Sequence, residues 1–377
     1  MQYVMGLARL GHDVHFAEDS NDYEWSCYDP SRNLTDKDPT YGLRFAAEMF
    51  ERVGLADRWS YYDAHTASWF GPCGDRVKRL AKSADMLLNL GHSNPMRPWM
   101  RDIPVRALVD TDPGFTQVRL LTTPSMRERA EAHTAFFSFG ENIWSGRSLI
   151  PDDGFCWHPT RQPVVVDVWA VTPGPRAGSF TTVMQWESYP VREFEGGAYG
   201  MKAMAFIPYA DLPRRTGESL EMAVGGGTAP RQQLLASGWL LRDPVEITRD
   251  PWTYQQYIRA SKAEFTVAKD GYVTGRSGWF SERSAAYLAS GRPVVTQETG
   301  FSDVIRVGEG VMSFTSPDEA IAMIEEVATR YDFHCRAARE VAEAEFDAGK
   351  VLTRLIETAM SADTEPRPSP LHRELKA

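Results

Sequence analysis

The sequence predicts an α/β protein built as two doubly wound parallel-sheet domains that face a cleft. Three observations carry that expectation. The length of 377 residues is long for one core and comfortable for two, taking roughly 150 residues per domain. Short apolar runs that end in turn or polar residues recur along the chain, the form of parallel strands covered on both faces. Segments with helical periodicity alternate with them, which is the order of β-α-β units.

The opening segment is helical: Val4, Met5, Leu7, Ala8 and Leu10 share one spacing, and Gly11 follows as a C-terminal stop. "DVHFAED" from Asp13 then alternates as a strand. The pair reads as the second half of a β-α-β unit without the strand and glycine-rich loop that normally precede such a helix, so a truncated or misplaced gene start is expected. A helix within "YGLRFAAEMFERVGL" from Tyr41 follows, and then strands in "ADMLLNLGHS" from Ala84, "VRALVDTDPGFTQ" from Val105 and "TAFFSFGENIW" from Thr134. These complete an N-terminal domain over 1–160, its first strand missing, with "PDDGFCWHPTRQP" from Pro151 as linker.

The pattern then restarts as a C-terminal domain over 161–345. Strands are expected in "VVVDVWAV", "SFTTVMQW" and "LEMAVGGG", then helices in "APRQQLLAS" and "DPWTYQQYIRASK". A strand near Glu264–Ala268, the loop "TGRSGWFS", the helix "ERSAAYLAS" and the strand "RPVVTQ" come next. In "SPDE", Ser316 suits an N-cap, Pro317 the first helical position and Glu319 a capping box. One long helix is expected from Phe333 to Met360, with its stripe at Val341, Leu352, Leu355 and Ile356. Its end, 346–360, returns to the first domain. The stretch 361–377 is rich in Pro and charge and reads as a flexible tail.

The formal net charge is −10 and the pI about 5.4. A nucleic-acid partner needs a concentrated basic surface, and no Lys/Arg run exists, so none is expected. No apolar run approaches the roughly 18–20 residues of a membrane span, and no basic-then-apolar leader opens the chain. Cys27, Cys73, Cys156 and Cys335 are widely spaced with no C-x-x-C pair, as in reduced thiols. The expected setting is cytoplasmic, and a homodimer is left open.

Chemistry concentrates in "TGRSGWFSERSAAYLASGRPVVTQETGFSD", from Thr274 to Asp303. Gly275 and Gly278 leave a loop of little bulk, and Ser281 caps a helix whose first turn carries Arg283 and Ser284. A helix start offers unpaired N–H groups and partial positive charge to an anion, and Arg adds a bidentate phosphate donor. The strand that follows delivers Gln297 and Glu298, suited to sugar hydroxyls. The alternative is a capped helix packed between strands, with Arg283 on a solvent face.

The stretch "SGWFSERSAAYLASGRPVVTQETGFS" resembles the donor-binding region of group 1-like bacterial glycosyltransferases of the GT-B fold, which is built from two Rossmann-like domains. "YIRASKAEFTVAKDGYV" before it and "GEGVMSFTSPDEAIAMI" after it strengthen the likeness, and the opening "LGHDVHF" resembles the first helix-to-strand turn of the family's N-terminal domain. The resemblance covers most of the chain, strongest over 250–345 and weak over 20–80. It implies a soluble transferase of hexosyltransferase type, with a UDP-, GDP- or dTDP-sugar as donor substrate, a hydroxyl acceptor and no tightly bound cofactor. By it, Gly278, Trp279, Phe280, Ser281, Arg283 and Ser284 face the diphosphate, and Glu298, Thr299 and Gly300 the sugar. Many retaining members carry two glutamates eight positions apart here. This chain has Gly278 and Ala286 instead, with Glu282 off the pattern, so retaining or inverting chemistry is not assigned.

Lys202 and Lys269 are candidates to neutralise phosphate or are plain solvated lysines. Asp110-Thr111-Asp112 matches the D-x-D of metal-dependent glycosyltransferases, but the surrounding chain resembles the metal-independent fold, so no metal is expected. Asp110 or Asp112 is then a candidate general base for the acceptor hydroxyl, or the pair forms a strand-end turn capped by Asp112. His92 is the best-placed titratable histidine, and a lone loop histidine is more often incidental. Glu141 and Asn142, at another strand end, are candidates for the acceptor side. "VGGGTAP" at Val224–Pro230 lacks the endings of a P-loop, and a tight strand-to-helix turn suffices for it. The rival readings are a sugar-nucleotide epimerase or hydrolase of the same fold, and a non-catalytic relative that binds a glycan or small molecule.

Overall fold

The computed structural model describes residues 1–361 apart from 22, 24 and 189; the expected tail over 362–377 lies outside the described residues. Besides a small antiparallel ribbon, Arg192–Phe194 and Gly197–Tyr199, the C-terminal half is built on a six-stranded sheet, every neighbouring pair parallel, ordered Leu240–Arg242, Leu220–Gly225, Phe180–Gln185, Ala263–Thr266, Val294–Gln297, Val311–Phe314. Both faces are covered, so Phe180, Met222 and Phe265 are among its fully buried residues, which is why these strands read as apolar runs.

Among the described residues the N-terminal half divides its strands between two main sheets and a two-stranded antiparallel ribbon, Cys27–Asp29 with Leu34–Asp36. Met86–Leu90, Val105–Asp110, Ala135–Ser138 and Trp157–Pro159 form a parallel four-stranded sheet. Phe16–Asp19 lies parallel to Trp59–Asp63, which pairs antiparallel with Ser68–Phe70. The Asn94 side chain ties the two sheets together. Its Oδ1 accepts from the Asp19 amide at 3.1 Å and its Nδ2 donates to the Ala17 carbonyl at 3.0 Å, replacing a strand along that edge. Arg97 adds two bonds of 2.8 Å to the Asp19 carboxylate.

Several helices follow their caps. Asp250 accepts from the amides of Trp252 and Thr253 and starts Pro251–Ala260, and Ser316 accepts from Glu319 and starts Pro317–Thr329. Glu319 reaches the Thr315 amide at 2.7 Å, one residue before the position a capping box requires.

Two expected elements differ. The run from Val164 holds a short 3₁₀ turn at Val166–Val168 in place of a strand; Val164 forms only a bridge to Asp347. The expected single helix from Phe333 is broken into Tyr331–Val341, a π-helical turn Ala342–Phe346, and Ala348–Ser361. The two departures have one cause. The Phe346 carbonyl accepts from the Val164 amide at 2.7 Å, and the Val164 carbonyl accepts from the Ala348 amide at 2.8 Å. A backbone that bonds sideways leaves its helical ladder there. The last helix then packs on Gln2–Arg9. No disulfide joins the four cysteines.

Candidate functional site

The helix Glu282–Ala289 starts where the sequence places it. Ser281, buried, accepts from the Arg283 amide at 3.2 Å, and Gly291, at φ +67°, follows its end. Its first turn opens on a cleft of about 580 Å³ between the two halves. Lys202, Lys269 and Arg283 come together on that cleft, with Glu282, Asp112 and Trp279. Gln2, Thr111 and Gln162 are supplied by the opposite side and the connecting segment.

Each cation is differently held. Lys202, 7% exposed, reaches among the described residues only the Thr266 hydroxyl, at 3.4 Å. Burial drives its ammonium well below the ordinary lysine range, and the Arg283 charge adds to the effect. Lys269 pairs with Asp112 at 2.8 Å and lies over the rings of Phe115 (4.9 Å) and Tyr272 (5.2 Å). Burial works against the Arg283 charge, but Glu282, Tyr254 and Glu264 outweigh it and raise the guanidinium's pKa. Its contact with Glu282 is long, 3.7 Å, and its Nε is buried without a partner. The Tyr272 hydroxyl also donates to Asp112, and its ring stacks on Trp279 with centroids 4.3 Å apart.

Other expected contacts turn away from this cleft. Phe280 faces the core, stacked on Phe346 with centroids 5.3 Å apart; only its carbonyl points toward the linker, where Gln162 donates to it. Ser284 is fully buried beneath the helix start. Gln297 accepts from the Ala268 amide at 3.1 Å. Glu298 closes its own loop, accepting from the Gly300 amide at 2.6 Å and the Ser313 hydroxyl at 2.5 Å. Thr299, buried, donates to the Trp279 carbonyl at 2.6 Å.

Gly278 and Gly300, both at positive φ (+76° and +91°), receive Asn142. A Cβ on Gly278 would lie 2.9 Å from the Asn142 amide nitrogen, and one on Gly300 would strike the Asn142 side chain. Asn142 is fully buried and donates to the carbonyls of Gly300 (3.0 Å) and Arg276 (3.2 Å), with Asp303 at 3.3 Å. Glu141 binds Arg161 at 2.5 Å, and Arg161 also holds Glu345 and the Val304 carbonyl. The expected acceptor-side pair lies in contacts between the two halves: the Asn142 side-chain nitrogen and the Glu141 carboxylate are bonded to protein, while the buried Asn142 Oδ1 has no hydrogen-bond partner among the described residues.

Of the three expected catalytic groups only Asp112 reaches the cleft. Asp110 is buried and takes bonds from Thr116 (2.6 Å), Ser138 (2.8 Å), Gln117 (3.1 Å) and the Asp112 amide (2.9 Å). Burial raises its pKa, and its work is to pin the strand-end turn. His92, at φ +59°, lies beside His133, ring centroids 6.0 Å apart, and away from the cleft. Burial lowers its pKa to about 3, with His133 contributing, so the imidazole is neutral at ordinary pH.

Sequence reasoning missed Tyr272, Gln162 and the buried Glu264. A signal existed for the last: a carboxylate inside an apolar strand covered on both faces is an outlier. Among the described residues no group of three metal-ligating side chains converges, and no helix is long and apolar enough to cross a membrane.

No protein-family model matches the chain, and no curated protein matches its sequence. Solved structures match by fold. HepE of Anabaena, in complex with UDP and glucose, is 13% identical with a TM-score of 0.52, covering 83% of this chain and 88% of that one. Sucrose-phosphate synthase of Thermosynechococcus elongatus is 10% identical at 0.52, over 96% and 92%. The trehalose-6-phosphate synthase OtsA is 12% identical at 0.51, over 95% and 93%. At such low identity the likeness is one of fold, and the chain has the two-domain GT-B fold of these proteins.

Proposed function

We propose that the chain transfers a sugar from a nucleotide-sugar donor to a hydroxyl acceptor in the cleft between its halves. The observation that carries this reading is the convergence of Lys202, Lys269 and Arg283 beside the start of the helix Glu282–Ala289. Three cations and a set of helix amides in a partly enclosed site match a diphosphate. They match it best as negative charge builds on the leaving group, which is how such a site lowers a barrier. The donor class is a UDP-, GDP- or dTDP-linked hexose, and the chemistry calls for no resident cofactor.

Asp112 is the general base in this scheme. In the free protein Lys269 and Tyr272 hold it. A diphosphate competes for Lys269, and an acceptor hydroxyl can then take up the Asp112 contact that Lys269 gives up. The neighbouring HepE structure holds UDP and glucose, which agrees with a nucleotide-sugar site in this fold.

One observation favours a second reading, a non-catalytic binder of the same fold: the loop Glu298–Gly300 bonds to the protein itself and offers a sugar no side chain. Calorimetry with UDP-, GDP- and dTDP-glucose, with and without EDTA, separates the two when followed by product analysis with and without acceptor alcohols. Wild type is expected to bind one of them, and Arg283→Ala to weaken that binding by about tenfold to a hundredfold. Unchanged affinity in Arg283→Ala, or no binding of any nucleotide sugar, rejects the site; binding without transfer favours the second reading.

A further inference from the structure

Behind the wall that Lys202 and Arg283 present to the cleft lies Glu264, on the strand Ala263–Thr266 and fully buried. Among the described residues neither of its carboxylate oxygens makes a close hydrogen bond, and the Ser284 hydroxyl is the neighbour that most favours its charged form. An interior tolerates such a carboxylate only where opposite charge compensates it. Two residues along, on the same face of the strand, the Thr266 hydroxyl takes the Lys202 ammonium at 3.4 Å. The helix Glu282–Ala289 packs on this strand. It brings Arg283, whose Nε has no partner among the described residues, and the buried Ser284 hydroxyl, which acts on Glu264. Tyr254 from the helix Pro251–Ala260, Tyr287 and the more distant Glu282 complete the titratable groups that act on Glu264.

We propose that Glu264 is the positioning residue of this cleft: without touching a ligand, it supplies the buried counter-charge that holds the Lys202 ammonium and Arg283 guanidinium ready for a diphosphate. The inference rests on the reading of the cleft as a nucleotide-sugar site. Burial pushes Lys202 toward its neutral form, Arg283 pushes the same way and Lys269 adds a little. Glu264 is the strongest group opposing them, followed by Glu282. Burial raises the Glu264 pKa to about 6, while Ser284, Arg283 and Lys202 restrain the rise and Glu282 adds to it. Above about pH 6 Glu264 is therefore charged, and Lys202 keeps its proton to a higher pH than it would alone. Below about pH 6 Glu264 takes up a proton and the compensation ends.

Glu264→Gln keeps the shape and removes the charge. Its affinity for UDP-glucose, whose diphosphate diester does not titrate in this range, is measured between about pH 5.5 and 8.5 alongside wild type. The two curves are expected to meet at the acid end, where a protonated Glu264 is the equal of Gln. They separate as pH rises, the variant becoming about tenfold weaker. Glu264→Asp, which restores the charge, is expected to recover most of that loss. A variant weakened equally at every pH, or not at all, overturns the proposal.

A second measurement needs no nucleotide. Lysines are reductively ¹³C-methylated, the Lys202 signal is assigned by its loss in Lys202→Arg, and its titration is followed by NMR. Glu264→Gln is expected to move that titration to lower pH, and no movement overturns the role of Glu264. If the titration moves while wild type binds no nucleotide sugar, the reading of the cleft fails and the coupling of Glu264 to Lys202 stands.

Discussion

The two segments that the sequence marks as donor contacts, 278–284 and 297–301, are bonded to one another and are used in opposite ways. In the first, Arg283 and the start of a capped helix face open space. In the second, polar groups turn inward: Glu298 onto Gly300 and Ser313, Thr299 onto Trp279, and the Gly300 carbonyl onto Asn142. A polar loop at the carboxyl end of a strand needs hydrogen-bond partners in any case. Where the protein supplies them, the loop is architecture; where it does not, the groups remain for a ligand.

The sharpest break of that contrast is Gly300→Ala. The residue sits at φ +91° and its new methyl would strike the Asn142 side chain. A loss of about 3 kcal/mol in urea unfolding is expected. A stable variant with impaired donor binding would move this loop to the ligand's side of the comparison. A smaller effect is expected of Glu298→Gln, which weakens the bonds from the Gly300 and Ser302 amides and the Ser313 hydroxyl and costs about 1–2 kcal/mol, with donor affinity within about twofold of wild type. Affinity lost at unchanged stability would contradict the contrast.

The smallest effect concerns His92, outside both segments. Its folded pKa of about 3 lies below the ordinary histidine value. The unfolded chain therefore takes up a proton first as pH falls. The stability associated with the neutral ring is complete above about pH 6.5 and declines toward about pH 3. His92→Gln is expected to lessen acid destabilisation by about 1 kcal/mol at about pH 5.5, read from paired urea titrations at neutral and acid pH. An unaltered acid limb would show that the ring is not held neutral.

What the sequence made legible is what local chemistry decides. Ser281, Asp250 and Ser316 cap helices because a short side-chain oxygen beside a helix start satisfies amides nothing else can reach. The apolar strands of the C-terminal sheet follow from burial on both faces. What stayed hidden depends on partners far along the chain. Asn142 meets Gly300 across 158 positions, and no local pattern distinguishes an asparagine that grips protein from one that grips a ligand. The long terminal helix likewise looked continuous, since the π turn at Ala342–Phe346 answers to Val164 rather than to its own residues. Lys202 was visible as a lysine, but its charge state is governed by burial first and then by Arg283 and Glu264.

Asn142 and Arg161 fasten residues of the first half and the connecting segment to Arg276, Gly300, Val304 and Glu345. Asp112, held by Lys269 and Tyr272, is a further fastening, and it lies on the cavity itself. A ligand that draws Lys269 away therefore loosens one of the ties by which the two walls grip each other, so occupancy of the cavity and the rigidity of its walls are linked.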